Sequence, residues 1–451
     1  MLGSDTENHT GLQNRVGLPM NETDARTPRH IPERGSYPVT TAVVFNLPGA
    51  AGHINPTVGL VSELLARGER VIYYAGEDSR QQFEALGATY RTYSPFFEYQ
   101  HSAAMAKNLG TAAFMLIEHA ECALAGLLEA MEKDRPDYIL YDSCCMFGKY
   151  IAQRLGIPGI CLVTTIISSP LLLLSDPALL GKVIVDVLAI SPRVPEARRR
   201  LMDLLSAVGL KYRNIIHHGF DLFLNEGDLN IVFLGTAAQP MPKLLNERFK
   251  LVGASIPEGR DPPMELPVGW GSTHPLVYVS LGTVHNLKHD FYLQCLEAFG
   301  DLPCKVIMSV GKHVDVASLG RIPANFMVRN RVPQLEVLKR AQVFVSHGGM
   351  NSINESTYFG VPLVMVPQQL EQAFNARRIR RQGAGLMLKS NKLTPKTLRN
   401  AVQTILADGR YKENANRLSR DIRSLGGQLR AADEILGFVH GQARPEIRKT
   451  A

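Results

Sequence analysis

Val343-Phe344-Val345-Ser346-His347-Gly348-Gly349-Met350-Asn351-Ser352 reads as a buried strand, a two-glycine turn and the first turn of a helix. The β-branched and aromatic run suits a strand covered on both faces. The glycines let the chain turn sharply. A helix that starts there offers unpaired N–H groups and a partial positive charge, a ready anion site. His347, Asn351 and Ser352 add side-chain donors, so the group fits a diphosphate held without a metal. No DxD motif occurs in the chain, which argues against a Mg-bridged nucleotide. Glu355 follows one turn after Asn351 on the same helical face. Its acceptor-only carboxylate suits a pair of ribose hydroxyls. The plainer alternative is a capped core helix with Glu355 solvated.

Outward from this segment the strand–turn–helix pattern repeats. Leu276 to Ser280, Lys305 to Met308 and Leu363 to Val366 are apolar runs of strand length with helices between them. The first half has its own series at Val39 to Asn46, Arg70 to Tyr74, Thr89 to Tyr93, Tyr138 to Tyr141 and Gly159 to Val163. Leu116, Ala120, Leu124, Leu127, Leu128 and Met131 recur at helical spacing. Alternating strands and helices predict two α/β halves, each built on a parallel sheet. Residues 1–37 are polar, lack periodicity and read as a disordered extension. An N-terminal domain over 38–235, a Pro- and Gly-bearing linker over 236–273 and a C-terminal domain over 274–427 follow. Residues 428–451 hold a last helix and tail. Residues 170–222 read as Leu- and Val-rich helices.

Composition narrows the class. The chain has 451 residues, 45% of them hydrophobic and 20% charged, enough to bury full cores in two domains. The net charge of +7 is spread along the sequence. Its densest cluster, Arg377 to Arg381, reads as a solvated helix face rather than a nucleic-acid patch. The six cysteines form no CxxC pair and no zinc-like set with histidine, which predicts free thiols in a cytoplasmic protein. No apolar run reaches the roughly 18–20 residues of a membrane span. The polar start has no signal-peptide core.

Two further residues stand where the first sheet would display them. The loop Pro48-Gly49-Ala50-Ala51-Gly52-His53-Ile54-Asn55-Pro56 follows the first strand and is not a GxGxxG dinucleotide fingerprint. It presents His53 at a helix start, where a neutral imidazole can accept a proton near neutral pH. Asp142 ends a strand of the same half, at the same sheet edge. An aspartate bonded to the far nitrogen of a histidine fixes its tautomer and stabilises the imidazolium. A generic glycine turn and a helix cap are the structural alternatives.

Taken in order and spacing, these pieces resemble the family 1 glycosyltransferases, most closely the bacterial macrolide-glycosyltransferase-like subgroup. The matching residues are Gly52-His53-Ile54-Asn55-Pro56, Ser280-Leu281-Gly282-Thr283, Val332-Pro333-Gln334, His347 to Ser352, Glu355, Gly360-Val361-Pro362, Pro367 and Glu371-Gln372. The likeness runs from about residue 40 to about 440. It implies a GT-B fold, two Rossmann-like parallel-sheet domains facing across a cleft, with the final helix crossing back onto the N-terminal half. It implies an inverting transfer from a UDP-sugar, glucose being the expected hexose, with no cofactor and no metal. His53 would be the general base and Asp142 its partner. Val332 and Gln334 would read uracil. Ser280 or Thr283, with His347, Gly349, Asn351 and Ser352, would hold the diphosphate. Glu355 would bind ribose, and Glu371 and Gln372 the sugar hydroxyls. Relatives commonly carry Trp or Tyr before Val-Pro-Gln; here Arg331 stands there, and a guanidinium also stacks on a π face.

The acceptor is expected against the N-terminal half, near Phe96, Phe97, Phe114, Met146 and the 170–222 region. Such a lining suits a small apolar hydroxylated compound of macrolide, polyketide or flavonoid type. A dTDP-deoxysugar transferase, a UDP-sugar epimerase on the same fold and a catalytically silent partner protein remain open alternatives.

Overall fold

The computed structural model describes residues 38–96, 109–167, 180–181, 185, 194–210, 225–267, 270, 274–282 and 288–441. The N-terminal sheet has seven parallel strands: β1 (Thr41–Phe45), β2 (Arg70–Ala75), β3 (Thr89–Thr92), β4 (Tyr138–Asp142), β5 (Gly159–Val163), β6 (Leu229–Val232) and β7 (Phe249–Leu251). Their order is β3-β2-β1-β4-β5-β6-β7. The C-terminal sheet has six: β8 (Leu276–Ser280), β9 (Lys305–Ser309), β10 (Phe326–Arg329), β11 (Val343–Ser346), β12 (Leu363–Met365) and β13 (Gly385–Met387). Their order is β10-β9-β8-β11-β12-β13. Both sheets reverse direction once, between β1 and β4 and between β8 and β11. Ligands of open parallel sheets bind outside the carboxyl ends of the strands at such switch points.

Helices cover both faces of each sheet. On one side of the N-terminal sheet lie α1 (Ala51–Ala66) and α2 (Arg80–Leu86); on the other lie α3 (Leu109–Asp134), α4 (Met146–Leu155) and α5 (Val194–Ala207). Alternate residues of one strand therefore enter different cores. Ala42 and Val44 pack toward α1, while Val43 and Phe45 pack toward α3 and α4. This is why these strands are apolar throughout rather than alternating. In the second half the helices are α6 (His289–Phe299), α7 (Gln334–Leu338), α8 (Met350–Tyr358), α9 (Leu370–Arg381), α10 (Pro395–Ala407) and α11 (Gly409–Ser424).

The stretch expected as a linker, 236–273, contributes more than a connection. It contains β7, which pairs with β6 at the edge of the N-terminal sheet. Phe249-Lys250-Leu251 is three residues long and flanked by Asn246, Glu247 and Arg248, too short and polar to show a strand period. For the same reason β10 and β13 carried no sequence signal.

The last helix, α12 (Gly427–Gly441), returns to the first half. Gly426 and Gly427 both have positive φ and turn the chain out of α11. The Gly427 N–H donates to the Val252 carbonyl at 2.7 Å, and a side chain at 427 would meet the Ala254 carbonyl. Beyond that turn Ala431, Ala432, Ile435 and Leu436 are buried in the same core as α1 and the N-terminal sheet. Arg67 of α1 clamps the contact, donating to Asp433 at 2.6 Å and to Glu63 at 2.8 Å. The tail 442–451, the extension 1–37 and most of 170–222 lie outside the described residues. Among the described residues no helix is long and apolar enough to cross a membrane.

Because Ile435 is fully buried and Leu429 is half exposed on the same helix, Ile435→Ala is expected to cost about 2–5 kcal/mol. Leu429→Ala should cost less than about 0.5 kcal/mol. Urea unfolding of both variants checks the difference, and equal effects would mean α12 is not part of the N-terminal core.

Candidate active site

The carboxyl edge of the N-terminal sheet brings three strand ends together. His53 sits in the first turn of α1, just after β1. Asp142 is the last residue of β4, and Thr164 follows β5. His53 Nδ1 lies 2.8 Å from Asp142 Oδ2 and 3.0 Å from Thr164 Oγ1. Asp142 has no exposed side-chain surface, whereas His53 keeps 20% of its own open. The other carboxylate oxygen, Oδ1, accepts the Cys144 N–H at 2.8 Å. Asp142 thus bonds the histidine and the turn before α4, but it does not cap that helix, whose N-cap is Cys145 with no side-chain cap. With Nδ1–H donated to the carboxylate, Nε2 is the free acceptor.

The first turn of α1 has its own support. Pro56 lies inside this helix and removes the N–H that the Gly52 carbonyl would receive. Asn46, directly after β1, donates to the neighbouring His53 carbonyl at 3.2 Å and to Tyr73 Oη at 2.8 Å. Thr57 Oγ1 donates to the Ile54 carbonyl at 2.8 Å. These buried side chains keep the His53 backbone fixed where the helix ladder is interrupted.

Electrostatics set the histidine's proton affinity. Burial lowers it, but the charge of Asp142, the hydrogen bond to it and the charge of Glu371 outweigh burial, so the His53 pKa rises above 6.5. Glu371 belongs to α9, in the other half. Desolvation raises its carboxyl above 4.5, against the lowering pull of His53 and a hydrogen bond from Asn375, while its side chain remains exposed to solvent. Asn354 of α8 donates to the Phe233 carbonyl after β6 at 2.8 Å, so the two halves touch directly beside these edges.

Ligand atoms of His53, Asp142 and Cys144 lie within 4.8 Å of one another, a set able to hold a metal ion among the described residues. Burial pushes the Cys144 thiol well above its ordinary value, aided by the Asp142 charge. It is therefore a protonated thiol at neutral pH, and a metal would have to displace its proton.

The C-terminal edge is built on Ser280 at the end of β8 and His347 after β11. The Ser280 hydroxyl accepts the Gly282 N–H at 3.3 Å. The His347 ring fills the space above both glycine turns: a Cβ at Gly349 would lie 2.3 Å from its Nε2, and one at Gly282 2.6 Å from its Cε1. Helix α8 starts from Gly349 with no side-chain cap and no acidic residue in its first turn. Its leading N–H groups keep their positive end for an anion. Ser352 is buried in that turn. Asn351 Nδ2 donates to Glu355 Oε1 at 3.0 Å.

Glu355 is 2% exposed, not solvated. Gln334 Nε2 donates to its Oε2 at 2.5 Å, and Arg260 Nη1 to its Oε1 at 2.7 Å. Gln334 Oε1 accepts from Tyr278 at 3.0 Å, which fixes the orientation of the amide. Val332 is half-buried and Arg331 exposed. Gln372 is buried, its Oε1 accepting the Gln368 N–H at 2.8 Å. Thr283 lies outside the described residues.

The expected acceptor residues fare differently. Met146 has no exposed surface and belongs to the core under α4, where Tyr150 Oη approaches its sulfur at 3.6 Å. Phe96 packs on α3, 2.3 Å from where a Cβ at Gly126 would stand. Phe114 is half-buried on α3, and Phe97 lies outside the described residues. Sequence reading passed over Thr164, Arg260 and Tyr278. The position of Thr164 directly after β5 was a usable signal, since it puts the hydroxyl on the same edge as Asp142.

Residues 237–423 match the family described as UDP-glucoronosyl and UDP-glucosyl transferase. The uncharacterized UDP-glucosyltransferase YojK of Bacillus subtilis is 33% identical over 89% of this chain and 98% of its own. The chain belongs to the family 1 UDP-glycosyltransferases. The oleandomycin glycosyltransferase of Streptomyces antibioticus is 28% identical over 92% of this chain and 91% of its own. Among solved structures, the glycotransferase of kitacinnamycin superposes with a TM-score of 0.77 at 29% identity, over 89% of this chain and 99% of that one. The fold is GT-B, and this glycosyltransferase has the two facing parallel-sheet domains that the fold requires.

Two outcomes follow for the site. Gly349→Ala places a methyl against the His347 ring and should weaken nucleotide binding at least about tenfold by shifting a donor group by a fraction of an ångström; calorimetry reads the change, and unaltered affinity would separate His347 from the nucleotide. If His53 is the base, it must be neutral to accept a proton, and the acid limb of kcat/KM against pH should fall above 6.5. Asp142→Asn should move that limb to lower pH and depress the plateau.

Proposed function

We propose that this enzyme moves a hexose, glucose foremost, from a UDP-sugar to a hydroxyl of a small, largely apolar natural-product acceptor with inversion at the anomeric carbon. The observation that carries the proposal is the His53–Asp142 pair, open to the cleft on one side and sensing Glu371 on the other. Nε2 of His53 takes the acceptor's hydroxyl proton as that oxygen attacks the anomeric carbon. The bond from the anomeric carbon to the diphosphate oxygen breaks, and its electron pair leaves with UDP. Asp142 holds the resulting imidazolium. An α-linked donor then gives a β-glycoside. The uncapped start of α8, with His347, Asn351 and Ser352 nearby, meets the charge growing on the leaving diphosphate. That arrangement supports a reaction without a metal or other cofactor.

Glu355 is assigned to the ribose and Glu371 with Gln372 to the sugar hydroxyls. Glu371 suits this role because it stands at the cleft beside the base. A deoxysugar would leave these groups unpaired, which is costly. The macrolide-type acceptor is supported by the relative named for oleandomycin, and the UDP donor by the UDP-glucosyltransferase relative. Six free thiols suit a reducing compartment, in keeping with a cytoplasmic enzyme.

The test is mass spectrometry of the purified enzyme with UDP-glucose, EDTA and a panel of macrolide and phenolic acceptors. A hexose should be added to an acceptor, and His53→Ala should slow transfer by roughly 10²–10⁴-fold. Transfer only from dTDP-sugars would overturn the donor assignment. An isomerised nucleotide sugar without glycoside would point to an epimerase. Full activity of His53→Ala would remove the base from the mechanism.

A further inference from the structure

We infer that Arg260, carried by the chain that crosses between the two halves, is a positioning residue of the donor site: it holds the Glu355 carboxylate ready for a ribose hydroxyl. The inference rests on the reading of Glu355 as the ribose-binding group and adds a residue outside every donor motif.

The geometry is closed on all sides. Arg260 is itself buried, and its guanidinium donates from Nη1 to Glu355 Oε1 at 2.7 Å and from Nε to Asp261 Oδ1 at 2.9 Å. The other oxygen of Asp261 accepts the Leu335 N–H at 2.8 Å, in the first turn of α7. The guanidinium is thus gripped between a carboxylate bound to α7 and a carboxylate on α8. A planar fork held at two points has little freedom left. Gln334 begins α7, and its amide bonds the second Glu355 oxygen at 2.5 Å. Arg260 and Asp261 therefore tie together the two helices that carry the nucleoside-facing side chains.

Charge and lone pairs give the arrangement a purpose. Burying a carboxylate without a paired cation is costly. Arg260 supplies the cation from the side away from the Gln334 contact. An ionised carboxylate has about four acceptor positions. Arg260 and Asn351 occupy Oε1, and Gln334 occupies one position on Oε2. The remaining acceptor position is on Oε2, and it suits one sugar hydroxyl of the nucleoside. Asn351 is the partner that can leave, since a bound diphosphate competes for its amide. Its departure would open a second position, on Oε1, for the neighbouring hydroxyl of the same diol.

The experiment compares binding of UDP, 2′-deoxy-UDP and 3′-deoxy-UDP by calorimetry in the wild type, Arg260→Met, Arg260→Lys and Glu355→Gln. The wild type should prefer UDP over at least one deoxy analogue by roughly tenfold to a hundredfold, the worth of a hydrogen bond to a charged group. Arg260→Met should lose that preference while binding the deoxy analogues as the wild type does, and Arg260→Lys should keep part of it. A preference that survives Arg260→Met but vanishes in Glu355→Gln overturns the role given to Arg260. An equal loss for all three ligands, or a fall in thermal midpoint that accounts for the loss, makes Arg260 a purely structural residue and also overturns it. If Arg260→Met does not fold, Arg260→Lys and Asp261→Asn carry the comparison, and an unchanged preference in both overturns it. No preference in the wild type and no effect of Glu355→Gln would instead remove the ribose reading itself.

Discussion

A parallel sheet with helices on both faces has no polar surface of its own except at the ends of its strands. That constraint governs this molecule. Every residue of β1, β4, β5, β8 and β11 is buried, so chemistry can be displayed only where those strands stop. His53, Asp142 and Thr164 lie at the carboxyl edge of one sheet, and Ser280 and His347 at the carboxyl edge of the other. The C-terminal helix, packed back on α1, gives the second half an anchor in the core of the first. Direct bonds between the halves add to it: Asn354 donates to the Phe233 carbonyl at 2.8 Å, and Arg378 to the Ala237 carbonyl at 2.9 Å. The two candidate site edges are thereby held together.

The dyad shows how such a position is tuned. Burial alone would make His53 a weaker base, because it disfavours the imidazolium. Asp142 and Glu371 reverse the sign and make it a stronger one. A histidine whose folded pKa is raised stabilises the fold fully at pH below its unfolded value, and that contribution is lost as pH rises through the folded value. The base role proposed for His53 needs the neutral form, which is populated in the range where the dyad's contribution to stability is fading. The Asn46–Tyr73–Thr57 cluster beneath the first turn of α1 supplies a hold on His53 that does not depend on its protonation.

Much of this was legible in the sequence, for physical reasons that also explain the gaps. Strands buried on both faces are apolar runs, and those runs located β1, β4, β5, β8, β11 and β12 to within a residue or two. Edge strands such as β7, β10 and β13 are only three or four residues long, and they left no pattern. Asp142 and His53 could be paired because both follow strands that the alternation of elements places side by side. The full burial of Met146 was not legible, because an apolar residue near a sheet edge can face either the cleft or the core, and helix orientation decides which. Arg260 could not be found at all. Its partner is 95 residues away, and a lone arginine in a Pro- and Gly-bearing stretch has no periodicity to betray a buried pair.

That last failure says something about where donor recognition is built. Helix α8 provides Asn351, Ser352 and Glu355 from one continuous stretch, which makes them visible as a motif. A carboxylate that is 2% exposed needs a partner beyond its own helix, because the penalty for burying an unpaired charge exceeds what nearby amides return. The compensating cation has to come from an element that packs over the site. Here that element is the crossing chain, which must pass close to the cleft simply to join the two halves. Its obligatory path makes it the cheapest place to carry the counter-charge. In the proposed donor site, recognition of the nucleoside would thus be tied to the same segment that joins the halves.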